Sequence, residues 1–169
     1  MIKVDLSNVS AAGDYVSIKE GGYIGVIEDV VHMPDKQGIV LWLDIAEGEY
    51  AGYYADLYDK REFWGLSDFR SYKEKALPFF KRFVDTVEAC NARYRWNGDE
   101  SKLKGKKIGM VLKKTQYTKN DGSIGFKFVV DKFIPLGEVK KYPLRDEAEP
   151  VAPGFVNVTE EKVEGIPFR

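Results

Sequence analysis

The side chains able to do covalent or acid–base chemistry are few in this chain. Its one histidine, His32, and its one cysteine, Cys90, lie in different parts of the sequence, and together they fall short of the three or four ligands that a zinc site takes. Cys90 comes late in a helical pattern, where it packs as a small hydrophobe. Asp56 and Asp59 could hold a metal, although acidic pairs at the end of an element are commonly just solvated. The segment "GKKIG" lacks the spacing of a phosphate-binding loop. No nucleophile stands beside a base, so the sequence reads as that of a binding protein that catalyses nothing and needs no cofactor.

Side chains that bind by stacking and by charge are abundant. Aromatic residues make up 14% of the chain, and many alternate with cations. Trp42, Tyr54, Tyr58, Arg61 and Trp64 fall in the first half, and "ARYRW" holds Arg93, Tyr94, Arg95 and Trp96. Further on come Lys106, Lys113, Lys114, Tyr117, Lys119 and Lys127. This is the combination a single nucleic-acid strand requires, because bases stack on rings for ~1–3 kcal/mol each while cations follow the phosphates. The net charge of −1 conceals a division: residues 1–69 carry −8, residues 70–145 carry +11 and residues 146–169 carry −4. Such asymmetry points to a polyanionic partner.

These residues need elements to hold them. Residues 1–20 read as a polar arm. "GGYIGVIEDVVHM" and "IVLWLDIAEG" are β-type runs joined by the turn "PDKQG". Ile39, Leu41, Leu43 and Ile45 alternate toward a core, which turns Trp42 the other way with Val40 and Asp44. "YAGYYADLYD" reads as a third strand whose pleat puts Tyr54 and Tyr58 on one face and Tyr53 on the other, and Trp64, Phe69 and Tyr72 follow in a loop. Phe80, Phe83, Val84 and Val87 recur at helical spacing, with Pro78 near the start and Asn91 as the stop. In "IGMVLKKTQYTKNDGSIGFKFVVDKFIPL" two apolar runs flank an Asp-Gly hairpin turn. There Phe126, Phe128 and Val130 are expected inward and Lys127 outward.

Three strands, a helix and two strands follow the element order of the OB-fold, a five-stranded Greek-key barrel. The expected architecture is therefore mainly β, an OB-fold with one helix between strands 3 and 4 and an extended C-terminal tail. Its domains are an arm over 1–20, a barrel over 21–139 and a tail over 140–169. No stretch approaches ~18 apolar residues, and the start has no apolar leader core. With a single cysteine, this reads as a cytoplasmic protein without a membrane partner.

The tail ends "TEEKVEGIPFR". An acidic run before an apolar-Pro-Phe end resembles the tip of bacterial single-stranded DNA-binding proteins, in which the tip is held out for replication and repair enzymes. The remainder is similar to a family of small phage and prophage single-stranded DNA-binding proteins of Gram-positive bacteria. The likeness lies in "EGEYAGYYADLYD", "FFKRFVDTVEACNARYRW", "LKGKKIG", the "DG" hairpin and "GFVNVTEE", and covers most of residues 20–169. The resemblance implies sequence-independent binding of single-stranded DNA in phage replication or recombination. It also implies that Ile166, Pro167 and Phe168 recruit replication or recombination proteins. The chain departs from the bacterial tip in ending on Arg169 and in having Lys162 within the acidic run. Two other functions fit the residues: an OB-fold adaptor that binds protein, and a metal-dependent nucleic-acid enzyme built on Asp56 and Asp59. Whether the chain is a monomer or a homo-oligomer, and whether DNA or RNA is preferred, the sequence leaves open.

Overall fold

In the computed structural model, residues 1–7 and 17–145 are described. Seven elements carry the fold: β1 (Gly21–Met33), β2 (Gly38–Ile45), α1 (Tyr53–Arg61), β3 (Ser67–Ser71), α2 (Leu77–Cys90), β4 (Lys107–Thr118) and β5 (Ile124–Ile134). The strands form one antiparallel sheet in the order β3-β2-β1-β4-β5. The architecture is mainly β, an open five-stranded sheet with a few helices. The two ends of the sheet approach each other through side chains: the Arg70 guanidinium of β3 lies 4.9 Å from the centre of the Phe133 ring of β5 and 5.8 Å from that of Phe83 on α2.

The alternating row of β2 is the centre of the core. Ile39, Leu41, Leu43 and Ile45 are all buried, facing Ile27 of β1 and Ile108, Met110 and Leu112 of β4. Helix α2 closes one end of this core with the expected face, Phe80, Phe83, Val84 and Val87, and Pro78 sits in its first turn. Asn91 then ends the helix and pins it to β4: its amide donates to the carbonyls of Val87 and Lys107, both at 2.8 Å, and its side-chain oxygen accepts from the Lys107 N–H. Packing reaches past residues 21–139 at both ends, since Ile18 is buried in the core and Arg145 pairs with Glu20 through its backbone.

The segment read as a third strand is a helix. Residues 53–61 form α1, and the third strand is Ser67–Ser71, which had read as a loop. The cause is Asp44. Its carboxylate on β2 accepts the backbone N–H groups of Tyr54 at 2.8 Å and Ala55 at 3.1 Å, as well as that of Ile45. It thus occupies the place of an N-cap for a helix whose own N-cap position is Gly52, which has no side chain to offer. Tyr-rich segments favour strands only weakly, and tertiary hydrogen bonds override that preference. The pairing of Tyr54 with Tyr58 survives for a different reason, because residues four apart share a helix face. Asp44 is buried; its burial pushes the carboxyl above its ordinary value and the three N–H groups pull against that shift.

Asp44→Ala leaves two helix-terminal N–H groups without an acceptor and is expected to cost about 1–3 kcal/mol of stability in urea unfolding. Asp59→Ala, at an exposed position of the same helix, should stay within about 0.5 kcal/mol. Equal losses for the two variants would show that Asp44 does not hold α1.

Candidate nucleic-acid interface

Three successive residues of β2 organise one face of the molecule. Asp44 caps α1. The backbone of Leu43 is used on both sides, its N–H donating to the Leu66 carbonyl at 3.0 Å and its carbonyl accepting the indole N–H of Trp64 at 2.8 Å. Trp42 stacks on Trp64, with ring centres 5.4 Å apart and planes 14° from parallel. Tyr58 of α1 completes the cluster, 6.0 Å from Trp42 and 5.6 Å from Trp64. The expected orientation of Trp42 away from the core row is the one observed, but one face of its indole is covered by Trp64.

Opposite this cluster the β4–β5 hairpin becomes an arm. Pairing of β4 with β1 stops at Leu112, so residues 113–118 pair with β5 alone. The arm ends in a turn over residues 119–123, where the Asp121 carboxylate accepts the N–H and hydroxyl of Ser123 and Gly122 takes φ +87°. On the arm, the Tyr117 ring lies over Gly125, so close that a Cβ at residue 125 would sit 2.8 Å from Tyr117 Cζ. Phe126, expected inward, is 55% exposed, because residue 126 stands on the arm beyond the end of the core. Phe128 and Val130, nearer the sheet, do pack on the core. Lys114 Nζ lies 5.0 Å from the centre of the Phe126 ring and Lys127 Nζ 5.6 Å from that of Tyr117.

Between this arm and α1 with the segment after it lies a cleft of about 520 Å³. Tyr53, Tyr54, Phe63, Trp64, Tyr117, Phe126 and Phe128 supply aromatic side chains to its wall, and Arg61, Lys114 and Lys127 supply cations. Among the described residues no Asp or Glu lines it. Arg61 comes from the acidic first part of the sequence, so the fold adds it to the lysines of the basic middle.

Of the residues singled out by sequence, the cleft gathers Tyr54, Arg61, Trp64, Lys114, Tyr117 and Lys127. Tyr54 is buried and belongs to the core as much as to the cleft wall. Trp42 and Tyr58 stand beside Trp64. Arg93, Tyr94, Arg95 and Lys106 border a second pocket, of about 470 Å³, between the end of α2 and the start of β4. Tyr94 is buried there, with Lys106 Nζ 5.4 Å from the centre of its ring. Trp96 lies in neither pocket; it packs edge-on against Phe80 and borders an apolar cleft along α2. Lys113 pairs with Asp131 at 3.2 Å, and Lys119 is at the hairpin turn. Ile166, Pro167 and Phe168 lie outside the described residues.

Tyr53, Phe63 and Phe126 were not singled out as binding residues. Phe63 could have been suspected from "REFWG", where it interrupts the polar run beside Trp64. Asp56 and Asp59 lie on α1, and among the described residues no group of three or more His, Cys, Asp or Glu side chains is placed to hold a metal. Among the same residues no helix is long and apolar enough to cross a membrane. No protein-family model matches the chain, and no curated protein matches it.

The bond from Trp64 to Leu43 gives a direct test of how the cluster is held. Trp64→Phe keeps a ring but removes the donor, and is expected to lower stability by about 0.5–1.5 kcal/mol beyond the loss in Trp42→Phe. Chemical denaturation of both variants measures the difference. Matching losses would mean that stacking alone positions Trp64.

Proposed function

We propose that this protein binds single-stranded DNA, with the strand lying in the cleft between α1 and the β4–β5 arm. The observation that carries the reading is the composition of that cleft: seven aromatic residues and three cations on one concave surface, with no carboxylate among its described lining. Bases would stack on Trp64, Tyr117 and Phe126, while Arg61, Lys114 and Lys127 neutralise phosphates. Stacking accepts any base, so little sequence preference follows. Stacking on these rings requires unpaired bases, which favours a single strand over a duplex.

The finer fold reading is an OB-type barrel. The sheet order, the antiparallel pairing of every neighbour and the position of α2 between β3 and β4 support it. So does the approach of β3 to β5 through Arg70 and Phe133. The proposed setting is phage DNA replication or recombination in the cytoplasm of the host. Partner capture by Ile166, Pro167 and Phe168 rests on the sequence alone.

A second reading, an adaptor that binds protein, is favoured by one observation. An apolar cleft of about 870 Å³ runs along α2, bordered by Leu77, Phe80, Val84 and Trp96.

The test is fluorescence anisotropy with a labelled dT oligonucleotide and with a duplex of equal length, over a range of salt. Single strands should bind more tightly, and log affinity should fall linearly with log salt at a slope near ~0.7 per phosphate neutralised. Tyr117→Ala should weaken binding by about 1–3 kcal/mol. The reading fails if duplex binds equally well or if removing the Tyr117 ring leaves affinity unchanged.

A further inference from the structure

The pocket at the start of β4 is distinct from the aromatic cleft. Lys106 immediately precedes β4 and Lys114 lies in its outer half, which at a rise of ~3.3 Å per residue sets the two roughly 25 Å apart. Arg93, Arg95, Lys102 and Lys106 border the pocket. Among the described residues none of these four forms an ion pair with a carboxylate, whereas their neighbours Lys104 and Lys107 are engaged by Asp29 at 4.0 Å and Glu47 at 2.8 Å. The nearby acids have hydrogen bonds of their own: Glu88 accepts the Trp96 N–H at 2.9 Å, and Asp99 accepts the N–H and hydroxyl of Ser101. Those Ser101 bonds, with a smaller contribution from the charge of Lys102, hold the Asp99 carboxyl below its ordinary value.

Tyr94 forms part of the pocket wall and carries one of its cations: it is only 8% exposed, and Lys106 Nζ lies 5.4 Å from the centre of its ring. The wall around it is rigid, because the bonds of Asn91 lock the end of α2 to Lys107. In addition, Ile27 exchanges backbone hydrogen bonds with Gly105 and Lys106 at 2.7 and 2.9 Å. The guanidinium and ammonium groups of Arg93, Arg95, Lys102 and Lys106 at one recess suit phosphate oxygens, which accept bonds from both kinds of cation. Arg95 already donates one N–H to the Tyr94 carbonyl at 2.7 Å, which anchors it at the pocket and leaves its other donors for a ligand.

We propose that this pocket takes phosphate groups of the same single strand whose bases stack in the aromatic cleft, so that one strand is held at two points along β4. The proposal rests on the reading of the cleft as a strand-binding site. A strand short enough to fill only the cleft does not reach the pocket, and a long one does.

The experiment uses the full chain and dT oligonucleotides of about 4 and about 16 nucleotides, the range that one small barrel of this kind covers. The double variant Arg93→Gln/Lys102→Gln changes two exposed side chains, and its melting temperature reports that it folds. It should bind the long strand roughly tenfold more weakly, with the salt slope reduced by about 1.4 for two phosphate contacts, and bind the short strand as the wild type does. Tyr117→Ala should weaken both lengths. An unchanged long-strand affinity, or an equal loss at both lengths, overturns the second contact and leaves the cleft reading in place. Loss of inorganic phosphate binding with strand binding intact makes the pocket a site for free anions and also overturns it. If Tyr117→Ala is without effect at either length, the cleft reading falls instead.

Discussion

The carboxylate of Asp44 is the constraint on which the aromatic face depends. It is a buried acid on the central hairpin, and it meets the free N–H groups at the start of α1. A carboxylate in that position also faces the positive end of the helix. Without it, the first turn of α1 has no side-chain acceptor, since the residue at its N-cap is glycine. The helix places Tyr58 against Trp42 and Trp64, and the segment that follows it brings Phe63 and Trp64 to the cleft. The same strand holds Trp64 through the carbonyl of Leu43. Three adjacent positions of β2 therefore transmit the rigidity of the core to the aromatic surface.

The two walls of the cleft differ in how firmly they are fixed. The α1 wall is tied to the core by buried hydrogen bonds. The arm is a two-stranded ribbon beyond the reach of β1, and isolated ribbons of that kind are marginally stable in water. Local ring contacts support it: Tyr117 packed over Gly125, Lys127 over Tyr117 and Lys114 over Phe126. On the proposed reading, a firmly tied wall facing a two-stranded ribbon suits bases of different size.

Much of this was legible in the sequence, and the reasons differ from element to element. The row Ile39, Leu41, Leu43 and Ile45 and the helical face Phe80, Phe83, Val84 and Val87 are periodic, and burial followed period in both. The Asp-Gly turn fixed the last hairpin. The helix at 53–61 was not legible, because its cap comes from a residue ten positions away, and no local pattern records that. Strand β3, "SDFRS", lacks an apolar alternation and exists by pairing with β2. Phe126 misled for a related reason: period 2 continues along β5 after the core has ended. Among the residues singled out by sequence, those joined by the cleft come from both charge blocks, and only the fold could say that Arg61 belongs with Lys114 while Trp96 does not.

The central claim is spatial: a single strand lies between α1 and the β4–β5 arm. Photocrosslinking of a strand carrying 5-iodouracil, followed by peptide mapping, addresses it directly. The account predicts adducts on Trp64, Tyr117 and Phe126. Adducts confined to the apolar cleft along α2, at Phe80 or Trp96, with none on the arm, would contradict it.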